Sequence, residues 1–136
     1  MSTERNKAIV RQLLADISAW NLAGIDAALA ADASWWVAGS LPASGTFDKK
    51  ALIGLLGQMR DTLMPAGLNI SLDHLIAEGD FVAAEGHSDT RFANGTPYAN
   101  RYHWMFELRD GKVVRAREYL DTQLMKESGE AAMASA

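Results

Sequence analysis

The sequence predicts an α+β fold: a cone-shaped, curved antiparallel sheet with about three N-terminal helices packed on its concave face. Two observations carry this. Apolar residues recur at helical spacing as far as Leu63 and at a period of two from Leu68 onward. The later half is punctuated by Gly79-Asp80, Asn94-Gly95 and Asp110-Gly111, dipeptides that supply the positive φ of tight hairpins. A long sheet must twist and coil around what it covers. The mouth of such a cone is a natural apolar pocket.

Val10, Leu13, Leu14, Ile17 and Trp20 make one stripe, so residues 4–20 form an amphipathic helix capped by Ser2 or Thr3. Asn21 to Gly24 punctuates it, and residues 25–31 make a short second helix. Ser34-Trp35-Trp36-Val37 is a strand-like aromatic run that stops at Gly39 and the loop Leu41-Pro42-Ala43-Ser44-Gly45. Asp48 caps a third helix, whose Leu52, Leu55, Leu56, Met59 and Leu63 share a face before Pro65-Ala66-Gly67 ends it. Gly54 and Gly57 in that helix mark close packing. Four strands follow, over residues 68–77, 81–92, 96–109 and 112–122. One domain spans residues 1–126, and the small polar stretch 127–136 is a frayed tail.

A chain of 136 residues with 49% apolar and 22% charged residues is an ordinary globular domain, long enough to bury a core unaided. The net charge of −4 argues against a nucleic-acid partner. There is no cysteine, which excludes thiolate chemistry and disulfides. The polar N-terminus lacks the apolar core of a signal peptide, and no window approaches the length of a membrane span. The expectation is a cytoplasmic protein with no cofactor and no membrane partner. His74, His87 and His103 lie on three strands without ligand spacing, so no metal site is expected. His74 shares a side with Leu68, Ile70, Leu72 and Ile76 and reads as a satisfied interface histidine.

The last hairpin is the richest segment. Asn100, Tyr102, Trp104, Phe106 and Leu108 share one face of its first strand; Val114, Ala116, Glu118 and Leu120 share one face of its second. Taking Arg109-Asp110-Gly111 as a three-residue turn with Gly111 left-handed puts Tyr102 opposite Glu118 and turns His103, Arg115 and Arg117 outward. The alternative register would bury two arginines at high cost. Glu118 is thus a carboxylate among aromatics, raised in pKa as an acid–base group or else satisfied by Tyr102 or a backbone amide. On the preceding strand, Glu85, His87 and Asp89 face either water, as binary patterning favours, or the pocket mouth, where they would assist catalysis. Of Trp35 and Trp36 only one can point inward.

The helix ending Ile17-Ser18-Ala19-Trp20-Asn21, the strand Ser34-Trp35-Trp36-Val37 and the run FELRDGKVVRAREYLDT at residues 106–122 resemble the nuclear transport factor 2-like superfamily. Within it, the chain resembles the SnoaL-like, ketosteroid-isomerase-like branch. The resemblance implies a cystatin-like cone and a cofactor-independent isomerase, cyclase, dehydratase or hydrolase acting on a small apolar, cyclic molecule. The alternative is a non-catalytic module holding an apolar ligand in the same pocket. A ketosteroid isomerase has its Asp base where this chain has Trp35-Trp36-Val37-Ala38. The final Asp of limonene-epoxide-hydrolase-like members matches Glu118, but their Arg is missing near His87. The implied catalytic set is Glu118, His87, Asp89 and Tyr102, and the implied substrate-binding set is Trp35, Trp36, Glu85, Asn100, Trp104 and Leu120. A homodimer through the outer sheet face is also implied.

Overall fold

The computed structural model describes residues 2–134. Helices α1 (Thr3–Ser18) and α2 (Leu22–Ala28) are followed by strands β1 (Leu29–Val37) and β2 (Gly45–Asp48) and then by helix α3 (Lys49–Gln58), which a π-helical turn, Met59–Leu63, extends. Then come β3 (Ile70–Glu78), β4 (Phe81–Ser88), the short pair β5 (Thr90–Arg91) and β6 (Pro97–Tyr98), β7 (Arg101–Arg109), β8 (Lys112–Leu120) and a last helix, α4 (Thr122–Ala134). The six-stranded sheet runs β2-β1-β8-β7-β4-β3. Its α+β class and helix-covered face agree with the sequence, but the sheet is mixed: β1 pairs parallel with β8.

Local chemistry accounts for the helix ends. The Ser2 hydroxyl accepts from the Arg5 amide and caps α1, and the Asp48 carboxylate accepts from Ala51 and caps α3. The end of α1 is a Schellman turn, with Asn21 N–H bonded to Asp16 O and Trp20 N–H to Ile17 O. Its left-handed residue is Trp20, at φ 56°, rather than glycine. The indole offsets that cost by being buried and donating to Met64 O over 2.7 Å.

The frayed tail expected at 127–136 is a helix as far as Ala134, and residues 135–136 lie outside the described residues. The Asp121 carboxylate accepts from Leu124 N, and Asn94 Nδ2 donates to Ala132 O, so α4 is tied at both ends. The two longest predicted strands break at Asp89 and at Ala99-Asn100. Asn100 takes the backbone groups there: its Oδ1 accepts from Arg101 and Asp121, in place of ladder bonds. The second helix starts earlier and ends earlier than its expected span, and β2 occupies part of the predicted loop. Gly54 meets no neighbour within 4 Å of an added Cβ, so of the two α3 glycines only Gly57, 3.4 Å from Leu22, is near another element.

Register is where the hairpin departs from expectation. Asp110 (φ 53°) and Gly111 (φ 78°) form a two-residue turn, pairing Arg109 with Lys112 and Leu108 with Val113. A bulge between Glu107 and Leu108 pairings then puts both Val113 and Val114 on the buried side. The face assignment survives, because Tyr102, Trp104 and Phe106 share a side with Ala116, Glu118 and Leu120. The partners shift: Trp104, not Tyr102, lies opposite Glu118, and Tyr102 lies opposite Leu120. Arg115 stays outside, paired with Glu107 over 2.9 Å. A second irregularity, between Leu72 and His74, reverses the side presented by β3. Leu75 and Ala77 pack on the core, while His74 is exposed with Ile76 rather than seated at an apolar interface.

Candidate functional site

The concave face of the sheet and the helices enclose a cavity of about 70 Å³. Trp35, Tyr98, Tyr102, Trp104, Glu118 and Leu120 line it from the strands, Leu52, Leu56 and Met59 from α3 and its π turn, and Met125 from α4. The wall is almost wholly apolar. The volume is below the ~300–1,000 Å³ usual for drug-sized ligands and below the ~150 Å³ that admits benzene. A ring-sized ligand therefore enters by displacing side chains, and Met59 and Met125 are the unbranched, adaptable ones.

Among the described residues Glu118 is the only carboxylate lining the cavity. Strand order explains its setting: β8 lies between β1 and β7, so an indole reaches it from each side. Trp35 Nε1 donates to Glu118 Oε1 over 3.3 Å, and Trp104 Nε1 donates to the same oxygen over 3.2 Å. Among the described residues no protein group bonds to Oε2, and Glu118 is only half-buried. Its open surface is the cavity. Burial pushes the carboxyl pKa up, and the two indole bonds, which favour the charged form, oppose this without cancelling it. With Oε1 occupied by two donors, a proton on this carboxyl belongs on Oε2. The arrangement can accept or deliver a proton at a fixed point in an apolar chamber.

The phenols of Tyr102 and Tyr98 are the other polar groups of the wall. Tyr102 stacks on Trp104 with ring centres 5.0 Å apart. Gly86, opposite Tyr102 on β4, makes this possible: a Cβ there would come within 2.7 Å of Ser71 O and 3.2 Å of the Trp104 ring. Tyr102 OH lies 3.1 Å from Ser88 Oγ and donates to Tyr98 OH over 3.4 Å; Asn100 Nδ2 donates to Tyr98 OH over 2.9 Å. Burial pushes both phenols above their ordinary pKa, so both stay protonated.

Of the residues singled out from sequence, Trp35, Tyr102, Trp104, Glu118 and Leu120 meet in the cavity. The others do not. Glu85 and His87 lie on the opposite side of β4 from Val82, Ala84 and Ser88, because the strand alternates without interruption. Glu85 is exposed beside His74 and His103, and His87 Nδ1 sits 2.9 Å from Asp73 on the outer face. Asp89 is exposed past the end of β4. Trp36 points outward against Tyr119, under the Arg117 guanidinium. Asn100 is buried behind the cavity wall rather than lining it. The sequence reading overlooked Tyr98 and Met125. The pause after Pro97-Tyr98, where Asn100 interrupts the strand, was the available signal for Tyr98. Among the described residues no cluster of three or more His, Asp or Glu side chains is placed to hold a metal ion, and no helix is long and apolar enough to cross a membrane.

No curated protein matches the chain. Solved structures do. The crystal structure of TerC co-crystallised with polyporic acid superposes with a TM-score of 0.80 at 22% identity, covering 93% of this chain and 98% of that one. An NTF2-like protein from Burkholderia xenovorans LB400 gives 0.76 at 26% identity, over 94% and 98% of the two chains. An LEH-like epoxide hydrolase of M. tuberculosis gives 0.75 at 18% identity, over 98% and 95%. The SnoaL-like domain family matches residues 10–116, most of the described fold. With its cone, its helix-covered face and that match, the chain belongs to the SnoaL-like family of the nuclear transport factor 2-like superfamily.

Proposed function

We propose that this protein binds a compact, largely apolar, cyclic small molecule in the cone and performs cofactor-independent acid–base chemistry on it at Glu118. The reaction class is isomerisation, cyclisation, dehydration or hydrolysis. One observation carries the reading: Glu118 has one oxygen held by two indoles and the other open to an apolar cavity. That is the disposition of a general acid or base, which contributes about 10²–10⁴-fold in rate. The TerC complex with polyporic acid and the epoxide hydrolase of M. tuberculosis are similar in fold and support a small-molecule role. Glu118→Gln keeps an oxygen for both indoles and removes the proton exchange. On a panel of lactones, epoxides and enones, turnover by the wild type and its loss in a folded Gln variant is the expected result. Full activity of that variant would remove Glu118 from the mechanism.

A second reading, a non-catalytic carrier, is favoured by the lack of a second carboxylate or histidine in the cavity wall. A ligand that copurifies while no member of the panel turns over at any pH decides for it. The proposal also includes a homodimer through the outer sheet face, where Ile76, Phe81, Met105 and Tyr119 are exposed. Sedimentation should show a dimer that Met105→Glu weakens, and a monomeric wild type would rule it out.

A further inference from the structure

We propose that Tyr98 is the hydroxyl that donates a hydrogen bond to an acceptor oxygen of the ligand, and that Asn100 is the positioning residue that turns the Tyr98 proton into the cavity. The inference rests on the reading of the cavity as a ligand site and identifies the ligand as one carrying a carbonyl, ether or epoxide oxygen beside the atom that exchanges a proton with Glu118.

The argument is a count of protons. Asn100 Oδ1 accepts from two backbone amides, Arg101 N at 2.7 Å and Asp121 N at 3.1 Å, which can only be donors. Its Nδ2 must therefore point the other way, and it donates to the Asp121 carbonyl over 3.1 Å and to Tyr98 OH over 2.9 Å. All four hydrogen-bonding positions of this amide are used, so it has no freedom to flip. Tyr98 OH is thereby fixed as an acceptor. Tyr102 donates its one proton to Tyr98. Ser88 and Tyr102 are bonded to each other, and with the Tyr102 proton committed, Ser88 is the donor of that pair. Ser88 Oγ also accepts from Asn100 N over 3.2 Å.

The three hydroxyls thus form a chain with one direction, from Ser88 to Tyr102 to Tyr98. Three protons serve two links, and the surplus proton emerges at Tyr98. No acceptor for it exists among the described residues, and Tyr98 lines the cavity. Reversing the chain would strand the proton on Ser88, which is 1% exposed and does not line the cavity. A buried donor without a partner is costly, and only at Tyr98 can a ligand in the cavity supply the acceptor. Each donor upstream also polarises the next, which makes the terminal phenol a better donor than an isolated one.

The probe is 2-cyclopentenone, a small cyclic enone that needs the least displacement of Met59 and Met125, followed by its carbonyl stretching frequency and its affinity. The expected result is a lowered carbonyl frequency in the wild type that is lost in Tyr98→Phe, with binding about five- to tenfold weaker, as for loss of one hydrogen bond. Tyr102→Phe should keep most of the shift, because Tyr98 remains held by Asn100. Asn100→Asp replaces the donor to Tyr98 with an acceptor that captures its proton, and should abolish the shift although Tyr98 is present. A shift lost in Tyr102→Phe and retained in Tyr98→Phe overturns the assignment while leaving the cavity a ligand site. No binding by the wild type overturns that site and the assignment with it. If Asn100→Asp does not fold, the two Phe variants decide between the hydroxyls.

Discussion

Trp104 and Glu118 stand opposite each other on adjacent strands, and the Trp104 indole donates to the carboxylate over 3.2 Å. This ties a fully buried aromatic of the sheet to the cavity carboxylate. A Trp N–H in an apolar core needs an acceptor, and a carboxylate there needs donors. Each satisfies the other, and Trp35 completes the arrangement from the parallel strand.

Trp104→Phe removes one donor to the charged form and keeps an aromatic ring in place. Since the indole bonds lower the Glu118 pKa against the upward push of burial, the variant should titrate higher than the wild type. Trp35→Phe should move it in the same direction. Side-chain carboxyl NMR titration reads the change, and a downward shift in either variant contradicts the account.

Stability should depend on pH through the same residue. Glu118 binds its proton more tightly in the folded chain than in the unfolded one, where the ordinary value of 4.5 applies. Its contribution is complete below that value and is lost as pH rises through the higher folded pKa. Glu118→Gln lacks this loss. The melting temperature of the Gln variant relative to wild type should climb with pH across that window and then level off.

Met125 is the one residue by which α4 closes the cavity, and α4 buries no residue fully. Met125→Ala should enlarge the chamber and favour bulkier enones over 2-cyclopentenone. Because the side chain is half-buried, the stability cost should stay near or below the low end of core truncations, about 2 kcal/mol. Competition binding with a ring series checks the first statement and denaturant unfolding the second.

Gly67 sits at φ +93°, and an added Cβ would come 2.6 Å from the Ser18 carbonyl oxygen. Gly67→Ala should lose about 1–3 kcal/mol through backbone strain, more where the chain cannot shift. Gly54→Ala is the contrast: exposed, helical and facing open space, it should gain about 0.5–1 kcal/mol. Urea unfolding of the two variants measures both.

The period of the apolar residues alone decided which side of β7 and β8 faces the helices, though not of β3, where an irregularity after Leu72 reverses it. It put Tyr102, Trp104, Glu118 and Leu120 together and turned Arg115 and Arg117 away, because alternation is a local property that burial enforces. For Glu85 and His87 alternation favoured the outer face but left the pocket mouth open, and the folded chain places them outside. Cap residues Ser2 and Asp48 were legible for the same reason: their partners lie three residues away.

Three matters needed the folded chain. The two-residue Asp110-Gly111 turn followed by a bulge put Trp104 instead of Tyr102 opposite Glu118, and because this differs from the expected register by two residues, an even number, the faces are kept. The parallel pairing of β1 with β8 brought Trp35 to Glu118 across 83 positions of sequence, and it depends on how the whole chain packs. The direction of the Ser88, Tyr102 and Tyr98 hydroxyls follows from Asn100 clamping the peptide of Asp121. Sequence encodes side and period. Register, distant pairing and proton direction come from contacts that exist only when the sheet has closed over its helices.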